Sequence, residues 1–178
     1  KYGKFAYDTR FAFHVAISTN EIHEAAPDSM LAFYIGGYVY VRRVCEKFQV
    51  SDSEVTSEWS PYPGIRVETT IMPTEEGHIR KHIIISEIEC SAYDCGFGVE
   101  IDVNGVKLTE DKSMAQVENE YSMCCVTTLC GTGEGTVIVA DPNTNLLHPM
   151  TRIPAICYQL AKGKNEIVTE VKAQYNRE

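Results

Sequence analysis

The chain has 178 residues, 44% of them hydrophobic, and its 25 acidic residues against 16 basic ones give a net charge of -9. This is enough chain for a sizeable core, so we predict a single domain over residues 1–178. The negative charge argues against a nucleic-acid partner or an anionic membrane surface. No long apolar run or signal peptide is visible, and no membrane partner is expected. Since the sequence begins at Lys1 rather than Met, we expect it to be cut from a longer protein.

Most of the chain shows the two-residue alternation of half-buried strands, beginning at Phe11–Ile17. The run Tyr38–Val50 predicts one long strand of a large curved sheet. Ile65–Pro73 and Gly77–Ser86 predict two further strands with a turn between them. No helical period is sustained at any point, so the alternation is the dominant pattern.

Two turn signals in the second half of the chain predict hairpins. One is Asn104-Gly105, and the other is the glycine-rich segment 131–135, which lacks the Lys-Ser/Thr of a phosphate loop. We therefore predict an all-β fold, a large antiparallel, supersandwich-like β-sandwich of about ten to twelve strands with little helix. The residues expected inside it are Phe11, Phe13, Val67, Ile71, Ile83 and Ile85.

The best candidate site follows a Pro/Gly turn, residues 57–64, that contains Trp59. His78, Arg80 and His82 lie two residues apart, so a strand places all three on one sheet face while the neighbouring isoleucines face the other way. If the two strands after Trp59 pair as a hairpin, Arg66 and Glu68 can join this cationic stripe. The full candidate set for a ligand-binding or interdomain face is His78, Arg80, His82, Arg66, Glu68, Trp59, Tyr62 and Arg10.

Each candidate has a structural alternative. Trp59 either stacks on a sugar ring or closes one end of the core, and packing is the commoner role for a lone Trp at a Pro-rich corner. The stripe of His78, Arg80 and His82 contacts a ligand, is a solvated sheet face, or is the contact surface for another domain. Arg10 lies near the start of the chain, where it can mark a seam with a preceding domain.

Seven cysteines form an odd set without a C-x-x-C pair or a zinc spacing, so we predict no metal and no cofactor. Most lie in apolar or alternating runs, where free cysteines act as small buried hydrophobic residues. A reducing compartment suits them better than an oxidising one, so a cytoplasmic location is expected rather than secretion.

Several long segments resemble a known family: "KYGKFAYDTRFAFHV", "SEWSPYPGIRVETTIMPTEEGHIRKHIII", "AYDCGFGVE" and "DPNTNLLHPMTRIPAI". They are similar to the C-terminal β-domain of a bacterial domain-of-unknown-function family, which is itself similar to heparinase II/III-type polysaccharide lyases. The resemblance implies a β-sandwich that follows an α/α toroid, and this toroid of the same protein is the partner that we expect.

The resemblance also implies a reaction, the β-elimination of uronic-acid-containing chains in a cleft between toroid and sandwich. This chemistry needs a group that neutralises the uronate, a base and an acid. Side chains suited to these roles, none of which can be assigned one, are Arg10, Arg42, Arg43, Arg66, Arg80, His78, His82, Tyr7 and Tyr62.

Three hypotheses follow from the residues and the resemblance. The first is an accessory domain of a polysaccharide lyase-like enzyme that forms one wall of its cleft and is inactive when isolated. The second is an autonomous carbohydrate-binding module, which would need an exposed aromatic surface. The third is an aldose-epimerase-like sandwich that uses His78, His82 and Glu68 in a concave face, and fold analogy alone supports it.

Overall fold

The computed structural model describes residues 30–41, 45–100, 105–139 and 151–175. Within these ranges the regular structure consists of fourteen strands, and no helix long and apolar enough to cross a membrane is found. The strands are β1 (Leu31–Ile35), β2 (Tyr38–Val41), β3 (Lys47–Val50), β4 (Val55–Tyr62), β5 (Ile65–Pro73), β6 (Gly77–Ser86), β7 (Cys90–Cys95), β8 (Val99–Glu100), β9 (Val106–Leu108), β10 (Met114–Glu118), β11 (Ser122–Cys130), β12 (Gly133–Val139), β13 (Thr151–Leu160) and β14 (Gly163–Tyr175).

The strands form two antiparallel sheets. The larger sheet has eight strands in the order β3-β4-β5-β6-β14-β11-β10-β9. The smaller has six, with β12-β13-β7-β1-β2 in a row and β8 paired to β13. One core, which includes Phe33 and Tyr158 of the smaller sheet and Val67 and Val171 of the larger, lies between them. The predicted all-β sandwich is confirmed.

The predicted core is right for β5 and wrong for β6. Val67 and Ile71 are 0% and 3% exposed, as expected. Ile83 is only half-buried and Ile85 is 52% exposed, because the even-numbered residues of β6 face the interior instead. The other two predicted core residues, Phe11 and Phe13, lie outside the described ranges.

Several connections cross between the sheets where the sequence predicts continuity or hairpins. The single long strand predicted over Tyr38–Val50 is wrong, since β2 belongs to the smaller sheet and β3 to the larger. Gly131, with φ of 96°, lies in the link between β11 and β12, which also belong to different sheets. The link at 131–135 therefore connects the two layers of the sandwich, and the hairpin predicted there is wrong. The hairpin predicted at Asn104-Gly105 falls partly on residues 101–104, which lie outside the described ranges.

The Pro/Gly turn after Trp59 is a true hairpin between β4 and β5. Gly64 takes a φ of 81°, a conformation that costs glycine little, and the pairing shifts register between Trp59 and Tyr62. Trp59 meets the ring of Phe33 edge-on at 5.8 Å, and Tyr62 meets Tyr40 in the same way at 4.9 Å. Both aromatic pairs join the larger sheet to the smaller one, so this corner closes one end of the core.

Candidate functional site

His78, Arg80 and His82 share one face of β6, as the sequence predicts, but that face points into the sandwich. Their exposed fractions are 1%, 1% and 2%. A solvated stripe and a surface for another domain are both inconsistent with this burial. His78 contacts the ring of Phe97 edge-on, with 6.0 Å between the ring centroids. The three residues are therefore interior residues, and His78 contacts the link between β7 and β8.

Asp94 of β7, which is fully buried, provides the charge partner across the core. Its Oδ1 lies 3.0 Å from Arg80 Nη2, and its Oδ2 lies 3.4 Å from His82 Nε2. Arg80 Nη2 also donates to the carbonyl oxygen of Cys95 at 2.5 Å. Burial by itself raises the pKa of Asp94, but the Arg80 guanidinium and the contact with His82 outweigh it and hold the pKa well below its usual range. The carboxylate is therefore ionised and links the two sheets.

A hydroxyl and an indole extend these contacts toward the Trp59 corner. Trp59 Nε1 donates to Thr69 Oγ1 at 3.0 Å, and Thr69 Oγ1 lies 2.8 Å from His82 Nδ1. Since the Thr69 hydroxyl accepts from the indole, its own proton is available to His82 Nδ1, which leaves Nε2 to donate toward Asp94. Trp59 is 2% exposed, so its role is packing and hydrogen bonding rather than stacking on a sugar.

Thr69, His82 and Asp94 thus stand in the order of a hydroxyl nucleophile, a base and an orienting carboxylate. Their exposed fractions of 3%, 2% and 0% leave no room for a substrate at the hydroxyl. Tyr158 Oη adds hydrogen bonds to Thr128 and Thr169 at 2.9 and 3.0 Å, and burial together with the charge of Asp94 raises its pKa to about 12. We call the connected set the polar core: Trp59, Thr69, Arg80, His82, Asp94, Tyr158 and Thr169.

Arg66 and Glu68 lie on the opposite face of the larger sheet. β5 and β6 do pair as a hairpin, but the register pairs Arg66 with Ile85 and Glu68 with Ile83, so neither joins the stripe of His78, Arg80 and His82. Arg66 Nη2 instead makes an exposed ion pair with Glu58 Oε2 at 2.7 Å. The trio of His78, His82 and Glu68 that an epimerase-like site would use is therefore not assembled.

An open cleft of about 660 Å³ lies at the β4–β5 hairpin. Two of the sequence candidates, Tyr62 and Arg66, contribute to its wall. The complete lining is Ser60, Pro61, Tyr62, Pro63, Gly64, Ile65, Arg66, Ile85 and Glu87. Of the eight candidates, Trp59, Arg80 and His82 belong to the polar core, and His78 is buried against Phe97. Tyr62 and Arg66 line the cleft, and Glu68 lies on the outer sheet face. Arg10 lies outside the described residues together with Tyr7, Arg42 and Arg43.

The sequence model of the DUF2264 C-terminal domain family matches residues 1–177. The chain belongs to this family. A search of curated proteins finds no match.

The fold of this DUF2264 C-terminal domain is similar to that of several solved enzymes. Heparan sulfate lyase HepC from Pedobacter heparinus matches with a TM-score of 0.58 and 10% identity, over 84% of this chain and 24% of that one. Heparinase III matches with a TM-score of 0.57 and 11% identity, over 85% and 24%. A 4-alpha-glucanotransferase from Thermococcus litoralis matches with 0.52 and 10%, over 84% and 28%. The resemblance expected from the sequence is confirmed as a likeness of fold, and the chain spans about a quarter of the length of these enzymes.

The cysteines of the DUF2264 C-terminal domain are all free thiols. Cys95, Cys124 and Cys125 are buried, three others are half-buried, and Cys130 is exposed, so burial is less complete than the sequence predicts. Burial raises the pKa of the Cys125 thiol, which makes it a poor nucleophile. In the described ranges no cluster of three or more His, Cys, Asp or Glu residues is arranged to hold a metal ion.

Sequence reasoning missed Asp94, Thr69 and Tyr158. One signal for Asp94 exists, since it is a lone carboxylate in the otherwise uncharged strand Cys90–Cys95, and buried charges in proteins are normally paired. Thr69 lies between Val67 and Ile71 on the inner face of β5. A threonine at such a position does not by itself indicate a hydrogen-bond network.

Proposed function

We propose that this chain is an accessory β-sandwich domain of a longer carbohydrate-active enzyme, and that it forms one wall of a substrate cleft. An α/α toroid that precedes it in the same protein would form the other wall. The similarity of fold to HepC and heparinase III, together with the quarter of their length that the chain spans, supports this proposal.

The observation that carries the accessory role is the burial of the polar core. A lyase must place a cation beside the uronate and a base beside the proton that leaves. Arg80 and His82 have suitable chemistry, but both contact Asp94 between the sheets and are 1% and 2% exposed. These side chains stabilise the sandwich, so the catalytic groups are expected in the toroid.

The proposal is tested by comparing the 178-residue chain with the longer protein that it requires. Both are assayed on a panel of uronic-acid polysaccharides by the absorbance of the unsaturated product. We expect turnover only by the longer protein. Turnover by the 178-residue chain alone contradicts the accessory role, and a longer protein without turnover on any uronic-acid polymer contradicts the lyase-like assignment.

A paired substitution separates the structural role of the polar core from a catalytic one. Arg80→Met with Asp94→Leu replaces the buried ion pair by apolar side chains, a change that buried pairs often tolerate. In the longer protein we expect this variant to keep its activity wherever circular dichroism shows that it folds. A folded variant that has lost turnover would place the polar core in the chemistry.

A further inference from the structure

The cleft at the β4–β5 hairpin has the size and the mixed lining of a small-ligand site. Its volume of about 660 Å³ lies within the usual range for such sites, roughly 300–1,000 Å³. One part of the wall is apolar and consists of Pro61, Pro63 and Ile85. Ile85 is 52% exposed and adds apolar surface to this wall. A ligand with an apolar face would cover this surface.

Tyr62 gives the cleft a rigid aromatic side chain. Its ring is held edge-on against Tyr40 of the other sheet at 4.9 Å, so it loses little freedom when a ligand binds. Proline and tyrosine rings present flat apolar surfaces, and the face of a sugar ring that carries C–H groups complements such surfaces. A sugar site needs an aromatic side chain that a ligand can reach. Tyr62 provides it here, since Trp59 is buried in the core.

Two polar groups at the cleft are available to sugar hydroxyls. The Glu87 carboxylate lies beside the turn, where a Cβ on Gly64 would come within 3.0 Å of its Oε2, and the Glu87 amide donates to Gly64 O at 2.9 Å. Tyr62 and Glu87 both line the cleft, so the phenol hydroxyl and the carboxylate can meet a ligand there. A carboxylate accepts strong hydrogen bonds from hydroxyl groups.

The charges around the cleft disfavour an anionic sugar. Arg66 is already paired with Glu58, and the carboxylates of Glu46 and Glu68 lie close enough to raise its pKa further. Glu87 adds another negative charge to the wall itself. A uronate or sulfate would have to compete with Glu58 for the guanidinium and approach Glu87 at the same time. Arg66 has five N–H donors, so those not used by Glu58 can donate to hydroxyls instead.

We propose that this cleft binds a neutral sugar unit, with the ring packed on Tyr62 and the prolines and with its hydroxyls bonded to Glu87 and Arg66. The ligand class proposed for this site differs from the uronic-acid substrate expected in the proposed function. Binding at this site does not require the chain to belong to a lyase.

The test is a titration of the 178-residue chain followed by the NMR shifts of its backbone amides. The neutral probes are cellohexaose, xylohexaose and mannohexaose, and the charged probes are hexagalacturonate and a heparin hexasaccharide at equal concentration. We expect at least one neutral probe to shift the amides of Tyr62, Gly64, Arg66 and Glu87, and the charged probes to shift them less. Stronger shifts with a charged probe, or no shifts there with any neutral probe, overturn the proposal.

Variants assign the binding to the cleft. Glu87→Ala and Tyr62→Ala should each weaken binding of the active neutral probe by at least about tenfold, a loss typical of a central contact residue. The matched controls are Glu110→Ala and Tyr121→Ala, exposed residues on other turns of the chain, which should bind as the parent does. Since Tyr62 also contacts Tyr40, Glu87→Ala decides the matter if Tyr62→Ala fails to fold. Unchanged affinity in Glu87→Ala overturns the proposal.

The lyase assay of the longer protein is a separate measurement. The proposed sugar site and the proposed lyase-like function can therefore fail independently.

Discussion

Asp94→Asn should destabilise the domain more than any surface change, because it removes the charge that Arg80 and His82 share. At the 3.0 Å that separates Arg80 and Asp94, two unit charges interact by about 5 kcal/mol at an effective dielectric constant of about 20. Removing one partner of a buried pair typically costs roughly 3–5 kcal/mol. Both side chains are almost fully buried, so we expect a loss of about 4 kcal/mol in the free energy of unfolding.

Urea unfolding followed by tryptophan fluorescence measures this loss. Trp59 is the only tryptophan of the chain, it is 2% exposed, and it is linked to His82 through Thr69. With a slope of about 2 kcal/mol per molar urea, the expected loss lowers the midpoint by roughly 2 M. Circular dichroism on the same samples establishes whether the sheets and the indole unfold together.

The control is Asp52→Asn, which changes an exposed aspartate in the loop before β4. It should stay within about 0.5 kcal/mol of the parent. The combined Arg80→Met and Asp94→Leu variant should lose less stability than Asp94→Asn, because it leaves no buried guanidinium without its carboxylate. A cost of less than about 1 kcal/mol for Asp94→Asn would show that the polar core does not link the two sheets.

Three further measurements test the titration of Asp94, the contacts of the Thr69 hydroxyl and the burial of the cysteine thiols. The folded pKa of Asp94 lies below its unfolded value of about 3.9, so its contribution to stability is present above that pH and is lost as the pH falls below it. In acid the unfolding free energy of Asp94→Asn should therefore fall less steeply with pH than that of the parent, and parallel curves would contradict this. Thr69→Val should cost about 1–3 kcal/mol and shift the Trp59 emission, because it removes the hydroxyl that contacts Trp59 and His82. Thr70→Val, a half-buried change on the outer face, should do neither, and equal effects would contradict these two contacts. Thiol titration of the native chain should label Cys130 first and all seven cysteines only after unfolding, and rapid labelling of all seven in the native state would contradict the structure.

The amino-acid sequence determined the fold class and the grouping of residues into faces. Strand periodicity is local, so the alternation in Ile65–Pro73 and Gly77–Ser86 was enough to predict two strands with a turn between them and the shared face of His78, Arg80 and His82. Their pairing as a hairpin had to be assumed. Turn residues marked where the chain changes direction. They did not show whether the next strand pairs with the last one or crosses to the other sheet, because the geometry of a short turn is local and sheet membership depends on distant strands.

Only the tertiary structure decided which face of β6 is buried. By hydrophobicity alone Ile83 and Ile85 belong inside, since burying an unpaired charge costs far more than exposing an isoleucine. The structure reverses this choice because Asp94, on a strand of the opposite sheet, lies within ion-pair distance of both Arg80 and His82. That compensation depends on how two sheets stack, and no pattern within a single strand contains it.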